Sequence, residues 1–294
     1  MTKPGTWFLV LVVMACFAAN SVATRFVVNG GWLDPAGVTI ARFAAGAGML
    51  AVLLASRGHA RAALPRLSDW PLVSFLGGYA LAIAYGYRYI TAAAGTFVFY
   101  ALVIATMTAG GPRPSWRAAA GALIALAGVA VLAVGRVAGT TPLGVVLLAL
   151  TGATWGAYSL LLRRRGRPLE TNACAFVGVT FLLPVLGWIE RDALVFTASG
   201  LAMGLSMGAI TTALAYALWA KVLPTLTPIE AGTVQLIVPV LTAIVGVALL
   251  GEPFSFRLAV AGSLVLTGMW LTTRAKPAPA PSAPGASPVR SRVK

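Results

Sequence analysis

Long apolar runs separated by short polar turns fill most of the chain, and they predict membrane-spanning helices. A helix needs about 20 consecutive apolar residues to cross the hydrocarbon core of a bilayer. Ten runs approach this length: Trp7–Val28, Pro35–Leu54, Pro71–Arg88, Ala93–Thr108, Trp116–Val134, Leu143–Leu162, Asn172–Ile189, Ser199–Lys221, Pro228–Leu250 and Ser255–Thr273. The turns between them are too short to hold a soluble domain. We therefore predict an all-α integral membrane protein with ten transmembrane helices.

The composition agrees with this prediction and excludes most classes of soluble protein. Of the 294 residues, 59% are hydrophobic and 10% are charged, and the mean hydropathy is +0.88. The two cysteines, Cys16 and Cys174, both fall inside predicted spans and lack the spacing of a metal site. We therefore predict no disulfide, no bound metal and no cofactor.

The net charge of +15 predicts a topology rather than a nucleic-acid partner, because the basic residues are spread over many short loops. Cytoplasmic loops of membrane proteins carry an excess of Lys and Arg. If both termini face the cytoplasm, most basic residues lie in inner loops. The outer segments then hold Arg25, Arg88, Arg136, Arg191 and Arg257, and Arg42 lies within a span. We predict that both termini are cytoplasmic.

Two stretches of the chain match each other without a gap. Gly78–Thr96 and Ala215–Thr233 share Tyr-Ala-Leu near the start and Gly-Thr at the end. The match predicts two repeats, residues 1–138 and 139–276, with five spans in each. Because five is odd, the second repeat enters the membrane upside down, as in many secondary transporters. The remaining segment, 277–294, is rich in Pro and Ala with basic residues, which predicts a disordered tail.

Several short motifs resemble the EamA-type members of the drug/metabolite transporter superfamily. They are Ala153–Ser159, Thr227–Ala231, Pro239 and Leu249–Pro253 in the second half, and Asn20-Ser21, Asp34-Pro35 and Ile40–Phe43 in the first. The resemblance implies a bacterial inner-membrane secondary transporter. It would export a small metabolite, such as an amino acid or a related amphipathic solute, by alternating access. Ala101-Leu102 replaces the Trp-Pro pair of the aromatic amino-acid exporters, which argues against transferring their substrate.

Aromatic side chains are concentrated in the spans that the repeat pairs with each other. They predict a cavity lined by rings, which would hold an amphipathic or cationic solute by stacking and cation–π contacts. The alternative is that the rings only pack between helices. The candidate substrate-binding residues are Phe17, Asn20, Tyr79, Phe97, Tyr100, Trp155, Tyr158, Tyr216, Trp219 and Gln235.

Three charged residues are candidates for gating or for binding a charged group of the substrate. Arg42 lies inside the second predicted span, where a cation at the helix centre costs about 2.5–3.5 kcal/mol on insertion scales. It either holds a carboxylate or bonds to backbone carbonyls of a neighbouring helix. Lys221 and Glu230 flank the turn between the eighth and ninth spans. An ion pair there could act as a gate, and the alternative is a solvated helix end.

Other functions place different demands on the sequence. A multidrug or organic-cation efflux transporter would use the same aromatic residues. A membrane enzyme would need acid–base or metal-binding groups, but the single histidine, His59, lies in a loop away from any acid pair or cysteine cluster. A non-transporting scaffold would bind a partner through surfaces that the short loops scarcely provide. The expected partners are a small-molecule substrate and the lipid bilayer, with a homo-oligomer left open.

Overall fold

Apolar helices joined by short turns make up the chain. A computed structural model describes residues 4–90, 92–133, 141–250 and 255–275, and this part of the chain has no β-strand. The helices are α1 (Pro4–Asn29), α2 (Pro35–Ala55), α3 (Trp70–Gly86), α4 (Ala92–Ala109), α5 (Trp116–Ala133), α6 (Pro142–Arg164), α7 (Pro168–Thr180), α8 (Leu183–Ile189), α9 (Ala198–Ser206), α10 (Ala215–Val222), α11 (Pro228–Val234), α12 (Ile237–Leu250) and α13 (Phe256–Arg274). A π-helix covers Met207–Leu214, and one-turn 3₁₀ helices cover Ala60–Ala63, Leu67–Asp69 and Leu223–Thr225. The predicted all-α class is confirmed, and the predicted tail at 277–294 lies outside the described residues.

Eight helical segments of the described chain are long and apolar enough to cross a bilayer. They are Gly5–Asn29, Pro35–Ala55, Leu67–Gly86, Pro142–Arg164, Pro168–Ile189, Ala198–Thr225, Pro228–Ala248 and Phe256–Arg274. The fourth and fifth predicted spans are shorter apolar helices within the described residues, Ala94–Ala109 and Trp116–Val131. The chain is thus a multi-pass membrane protein, and length and composition support eight of the ten predicted spans.

Capping residues followed by proline set the start of several helices. Asp34 accepts hydrogen bonds from the backbone N–H groups of Ala36 and Gly37, and Pro35 occupies the first turn of α2. Such side chains satisfy N–H groups that a helix leaves free, and proline loses nothing at that position. The caps of α6, α9, α11 and α13 are Thr141, Thr197, Thr227 and Ser255.

Prolines interrupt two of the predicted spans. Proline lacks a backbone N–H, and its ring clashes with the carbonyl four residues earlier. Pro184 therefore ends α7 at Thr180, and Pro239 ends the helix before Gln235. Irregular backbone at membrane depth is tolerated where protein encloses it, and Gln235 is 2% exposed. The seventh and ninth spans, predicted as single helices, are each two helices.

Helices of the first half pack against helices of the second. α5 lies along α13, α3 and α4 both pack on α6, and α1 packs on α10 and α12. α2 contacts α7, α9 and the π-helix. Where α5 crosses α13, a Cβ on Gly121 would lie 2.7 Å from the carbonyl oxygen of Gly268. Small residues at such crossings let two backbones approach closely.

The loops fall into two groups that mark the two ends of the helix bundle. The first group, the bridged face, comprises residues 30–34, 87–90 and 190–197. It is joined by hydrogen bonds such as the one from the Thr197 N–H to the Trp32 carbonyl, at 3.1 Å. The second group, the arginine face, comprises residues 56–69, 110–115, 164–168 and 222–227. It is joined where Arg165 donates to Asp69.

Candidate functional site

Trp155 on α6 is the centre of a cluster of aromatic rings that joins both halves of the chain. Its ring centroid lies 5.1 Å from that of Tyr79 on α3 and 5.0 Å from that of Tyr216 on α10. Phe17 on α1 lies at 6.0 Å, and Tyr158 stacks on Trp155 at 5.6 Å. Ring pairs at these distances and angles attract each other beyond the area that they bury. The structure therefore brings together five predicted site residues from four helices.

Rings of α4 and α10 extend this aromatic cluster. The Phe99 centroid lies 6.3 Å from that of Tyr79, and Tyr100 lies 4.6 Å from Phe99. On the other side, Trp219 lies 6.4 Å from Phe17. The cluster rings of α6 and α10 are no more than 3% exposed. These four rings are buried by the protein, so a solute binding between them would displace rings.

Besides Phe99, two more rings that the predicted site does not include join the cluster, and one predicted ring stays apart. Phe176 on α7 lies 5.3 Å from Tyr216 and stacks on Phe43 of α2 at 5.2 Å. A polar residue inside an apolar span, Asn172, lies one turn before Phe176 and could have indicated this face of α7. Among the described residues, Phe97 makes no ring contact with the cluster and packs against the hydrophobic core.

Gln235 holds the central tryptophan in one orientation. The indole N–H of Trp155 donates to the Gln235 side-chain oxygen at 2.7 Å, and the Gln235 amide donates to the Ala231 carbonyl at 2.8 Å. Gln235 reaches this position because it lies at the break between α11 and α12. A buried polar group without a partner would cost about 1–3 kcal/mol. The pair therefore favours a single arrangement of both side chains.

Asn172 fixes the tyrosines of α6 and α10 and is absent from the predicted site. The Tyr158 hydroxyl donates to the Asn172 side-chain oxygen at 2.6 Å. The Asn172 amide donates to the Pro168 carbonyl at 2.8 Å and to the Tyr216 carbonyl at 3.3 Å. With 0% exposure, Asn172 satisfies its polar atoms entirely within the protein. It ties α7 to α6 and α10, two of the helices that carry the aromatic cluster.

A second polar group lies between α1, α2 and the π-helix. The Asn20 side-chain oxygen accepts hydrogen bonds from the hydroxyls of Thr211 at 3.2 Å and Thr212 at 3.4 Å. Arg42 donates from Nε to the Thr212 hydroxyl oxygen at 3.3 Å. Segments of π-helix are rare and are frequent at functional sites. Here the π-helix turns two adjacent threonines towards one amide oxygen.

Arg42 brings a cation close to the aromatic cluster. Its partner Thr212 precedes Tyr216 by four residues on a continuous helical stretch, which separates them by about one turn. Arg42 is half-buried, and within the described residues no carboxylate forms an ion pair with it. A guanidinium can bind a carboxylate through two parallel hydrogen bonds. The site can therefore hold a molecule with an apolar part and a carboxylate.

The structure does not join Lys221 to Glu230. Glu230 caps α11 instead, since its carboxylate accepts from the Thr227 N–H at 2.6 Å and the Thr227 hydroxyl oxygen accepts from the Glu230 N–H at 3.3 Å. Lys221 is exposed at the end of α10. Gating by these two residues stays a prediction.

Two ion pairs connect α3 to the second half, one at each face. At the bridged face, Arg88 donates from its two terminal nitrogens to the Glu190 carboxylate at 2.8 and 3.2 Å. At the arginine face, Arg165 pairs with Asp69. Hydrogen bonds from Arg88 lower the pKa of the Glu190 carboxyl, because they favour its charged form.

In the described part of the chain, no group of three or more His, Cys, Asp or Glu side chains could hold a metal ion.

Known proteins resemble the chain in sequence. Residues 142–274 match the EamA-like transporter family. An uncharacterized protein of Pseudomonas aeruginosa is 36% identical over 275 residues, which cover 92% of this chain and 95% of that protein. A probable terminal-alkyne amino-acid exporter of Streptantibioticus cattleyicolor is 27% identical over 288 residues, covering 92% and 93%. An uncharacterized transporter of Bacillus subtilis, YwfM, is 30% identical over 56% of each chain.

The fold also has a counterpart among solved structures. A protein whose crystal structure is known superposes with a TM-score of 0.80 at 20% identity, covering 93% of this chain and 99% of that chain. This likeness shows a shared fold. The sequence matches confirm the family resemblance on which the sequence prediction rested. The chain belongs to the EamA-like transporter family, within the drug/metabolite transporter superfamily.

Proposed function

We propose that this protein is a secondary transporter of the bacterial inner membrane that exports a small metabolite with an apolar part and a carboxylate, such as an amino acid. The observation that carries the proposal is the aromatic cluster around Trp155 beside Arg42, a half-buried cation without a carboxylate partner among the described residues. The rings would hold the apolar part by stacking. The guanidinium would bind the carboxylate.

Alternating access commonly relies on two inverted repeats with the substrate between them. The predicted repeats, 1–138 and 139–276, are supported by helix contacts that come in exchanged pairs. If the two halves exchange places, the contact of α4 with α6 becomes that of α12 with α1, and the contact of α3 with α6 becomes that of α10 with α1. The contacts of α5 with α13 and of α2 with α7 become themselves. A two-fold exchange of the halves therefore produces this pattern.

The charges of the two faces support a topology with the arginine face in the cytoplasm. Basic residues at or next to the arginine face are Arg57, Arg61, Arg66, Arg113, Arg117, Arg163, Arg164, Arg165, Arg167, Lys221 and Arg274. Those at or next to the bridged face are Arg25, Arg88, Arg191 and Arg257. Because cytoplasmic loops are enriched in Lys and Arg, the arginine face is the cytoplasmic one in our proposal.

A bound carboxylate would compensate the charge of Arg42. A cation within a span is unfavourable by about 2.5–3.5 kcal/mol on insertion scales, and a hydrogen bond to a charged group contributes about 1.5–3 kcal/mol. The Asn20 side-chain oxygen lies on the same polar group and could accept from an ammonium. A zwitterion therefore fits the polar group better than a simple cation does.

The named relative agrees with this class of cargo. The Streptantibioticus protein is described as a probable terminal-alkyne amino-acid exporter, and the chain covers 93% of its length. A terminal alkyne is a small apolar group of the kind that aromatic rings pack against. The relative supports an amino-acid cargo with an apolar side chain.

Counterflow into proteoliposomes tests the proposal. The probes are radiolabelled L-phenylalanine and L-propargylglycine, with L-phenylalaninamide as a competitor that lacks the carboxylate. Trp155→Ala should abolish flux, and Arg42→Gln should remove the preference for the acid over the amide, while Arg42→Lys keeps part of it. Trp270→Ala, which removes a ring 57% exposed on α13, should leave flux unchanged. Unchanged acid preference in Arg42→Gln would contradict the assigned role.

Organic-cation efflux is the second candidate, because cations bind the faces of aromatic rings. The cluster around Trp155 offers such faces, whereas the charge of Arg42 opposes a cation beside it. Tetraphenylphosphonium in the same counterflow assay separates the two functions. Transport of this cation with no transport of either amino acid would favour the second candidate and exclude the first.

A further inference from the structure

A cavity of about 260 Å³ opens at the arginine face, away from the aromatic cluster. Its lining comprises Gly110 in the turn after α4, Leu160, Arg163 and Arg164 at the end of α6, and Pro224 in the turn after α10. Three segments that are remote in sequence thus line it. We name this cavity the vestibule. Its volume lies just below the range of about 300–1,000 Å³ that is usual for ligand pockets, so it has room only for a small metabolite.

The vestibule contains a cation that has no bonding partner within the described part of the chain. Arg163 is half-buried, and it forms no hydrogen bond or ion pair with another described residue. Glu230 is the acidic side chain whose charge acts on Arg163, but its carboxylate is engaged in the cap of α11. Arg164 makes one long hydrogen bond, 3.4 Å, to the Gly110 carbonyl. The vestibule therefore offers positive charge to an anionic group.

A row of side chains leads from the vestibule to the aromatic cluster. Trp155, Ser159 and Arg163 are four residues apart on α6, so they share one face of the helix with steps of about 6 Å along its axis. Ser159 is 0% exposed, and its hydroxyl has no hydrogen-bond partner among the residues that the structure describes. A buried hydroxyl without a partner is unfavourable. A polar molecule passing between the two sites would satisfy it.

The indole N–H of Trp219, on a second helix, is another buried polar group that a passing polar molecule could satisfy. Trp219 is 0% exposed, lies beside Phe17 in the aromatic cluster, and its N–H has no partner in the described chain. It precedes Pro224, which lines the vestibule, by five residues. The helices α6 and α10, which lead from the vestibule to the cluster, thus each carry one buried polar group without a partner among the described residues.

We propose that the vestibule is a second binding site, which captures the carboxylate of an amino-acid-like cargo at the arginine face before the cargo enters the aromatic cluster. The site rests on the proposed transport function. Arg163 binds the carboxylate, Arg164 adds positive charge, and Ser159 donates a hydrogen bond along the path. A phosphate group of a lipid shares the anionic chemistry and would compete for the same arginines.

Directional flux tests this site. Uptake of L-phenylalanine is measured in right-side-out and everted membrane vesicles from the same cells. Arg163→Gln should raise the half-saturation concentration about ten- to a hundredfold, the loss of one hydrogen bond to a charged group, in one vesicle orientation only. The control, Arg167→Gln, removes an exposed arginine of the same face that does not line the cavity, and it should leave both orientations unchanged.

A chemical readout keeps the inference testable without transport. Leu160→Cys is made in a Cys16→Ala, Cys174→Ala background, purified in phosphatidylcholine nanodiscs, and labelled with anionic and cationic methanethiosulfonate reagents. The anionic reagent should react faster, Arg163→Gln should remove this preference, and L-phenylalanine should slow labelling while L-phenylalaninamide does not. Labelling slowed by added phosphatidylglycerol and not by L-phenylalanine would replace the cargo with a lipid headgroup.

The outcomes separate the two proposals. Equal changes in both vesicle orientations, or no change in either, would overturn the vestibule site while leaving the transport function in place. A wild-type protein that moves no L-phenylalanine in either orientation would overturn the transport function for this probe. In that case the labelling decides, because protection by L-phenylalanine that depends on Arg163 supports the site and its absence overturns it.

Discussion

The bridged face and the arginine face both tie the two halves together, but they do so with different kinds of contact. At the bridged face the ties include the backbone. Leu33 and Phe196 form an isolated β-bridge, and the Asp34 carboxylate, which also caps α2, accepts from the Val195 N–H at 3.1 Å. The bidentate pair of Arg88 with Glu190 adds to these contacts.

The arginine face depends on side chains and encloses a cavity. Arg165 donates to the Asp69 carboxylate and, at 2.8 Å, to the Ser68 carbonyl. The vestibule of about 260 Å³ lies at this same face. In the transport cycle that we propose, one face opens while the other stays shut. Under this proposal, the backbone ties keep the bridged face shut, and the arginine face with its cavity is the one that opens to admit cargo for export.

The largest expected effect comes from breaking the bridged face with Arg88→Ala. Glu190 is 8% exposed and would lose both hydrogen bonds to its carboxylate. An unsatisfied charged group of this kind costs about 1–3 kcal/mol or more, and the lower part of that range applies because Arg88 is 37% exposed. Thermal unfolding in detergent measures the loss. Equal melting temperatures for wild type and variant would contradict the importance of this tie.

The next largest loss of stability is expected from removing the hydrogen bond between the loops of Asp34 and Val195, at the same face. Asp34→Ala removes the cap of α2 together with the bond to Val195, so we expect a loss of about 0.5–2 kcal/mol from the cap and a further loss from the loop. Ser255→Ala is the matched control, because Ser255 caps α13 and, within the described residues, its side chain bonds to no other loop. If both variants lose the same stability, the Asp34 to Val195 bond contributes nothing.

A smaller effect is expected from Arg165→Ala at the arginine face. Asp69 would keep the hydrogen bond from the Arg66 N–H at 2.9 Å, so its carboxylate would not be left without a partner. We expect a loss below about 1 kcal/mol, as for partly exposed ion pairs. The same unfolding assay compares it with Arg88→Ala. A greater loss than that of Arg88→Ala would reverse the ranking of the two faces.

The smallest expected effect is a pH dependence of the stability that the Arg88–Glu190 pair contributes at the bridged face. The pKa of Glu190 is lowered from its ordinary value of 4.5, so its ionised form contributes stability in full above that pH. The contribution is lost as the pH falls through the lower pKa of the folded state. Melting temperatures of wild type and Glu190→Gln should therefore converge as the pH is lowered from 7 to 3. A constant difference over this range would mean that Glu190 does not titrate as assigned.

The sequence predicted the membrane class and most helix positions, because apolar runs of sufficient length can only be helices in a bilayer. The cap at Asp34 and the proline at position 35 place the start of α2 at the residue predicted for its span. Pro184 and Pro239 indicate the helix breaks in the seventh and ninth spans. The length of the apolar runs alone does not reveal these breaks. The π-helix before Tyr216 has no such signal in a single chain.

The sequence identified a site residue more readily when the role of that residue depends little on which side chains contact it. Trp155, Tyr79 and Tyr216 could be singled out because large polar-tipped rings deep in apolar spans are unusual, and they do meet. Asn172 was missed because its importance lies in the two tyrosines that it joins. Phe97 was included by proximity in sequence, but only its neighbour Phe99 turns towards the cluster.

By itself, then, the sequence determined the all-helical membrane class and the concentration of rings, since each follows from local composition and spacing. The tertiary structure decided which rings touch, that Glu230 caps a helix rather than pairing with Lys221, and that Arg163 lies beside a cavity without a bonding partner among the described residues. Those outcomes depend on the packing of helices remote in sequence. Side-chain partners across such contacts are set by geometry that no local pattern encodes.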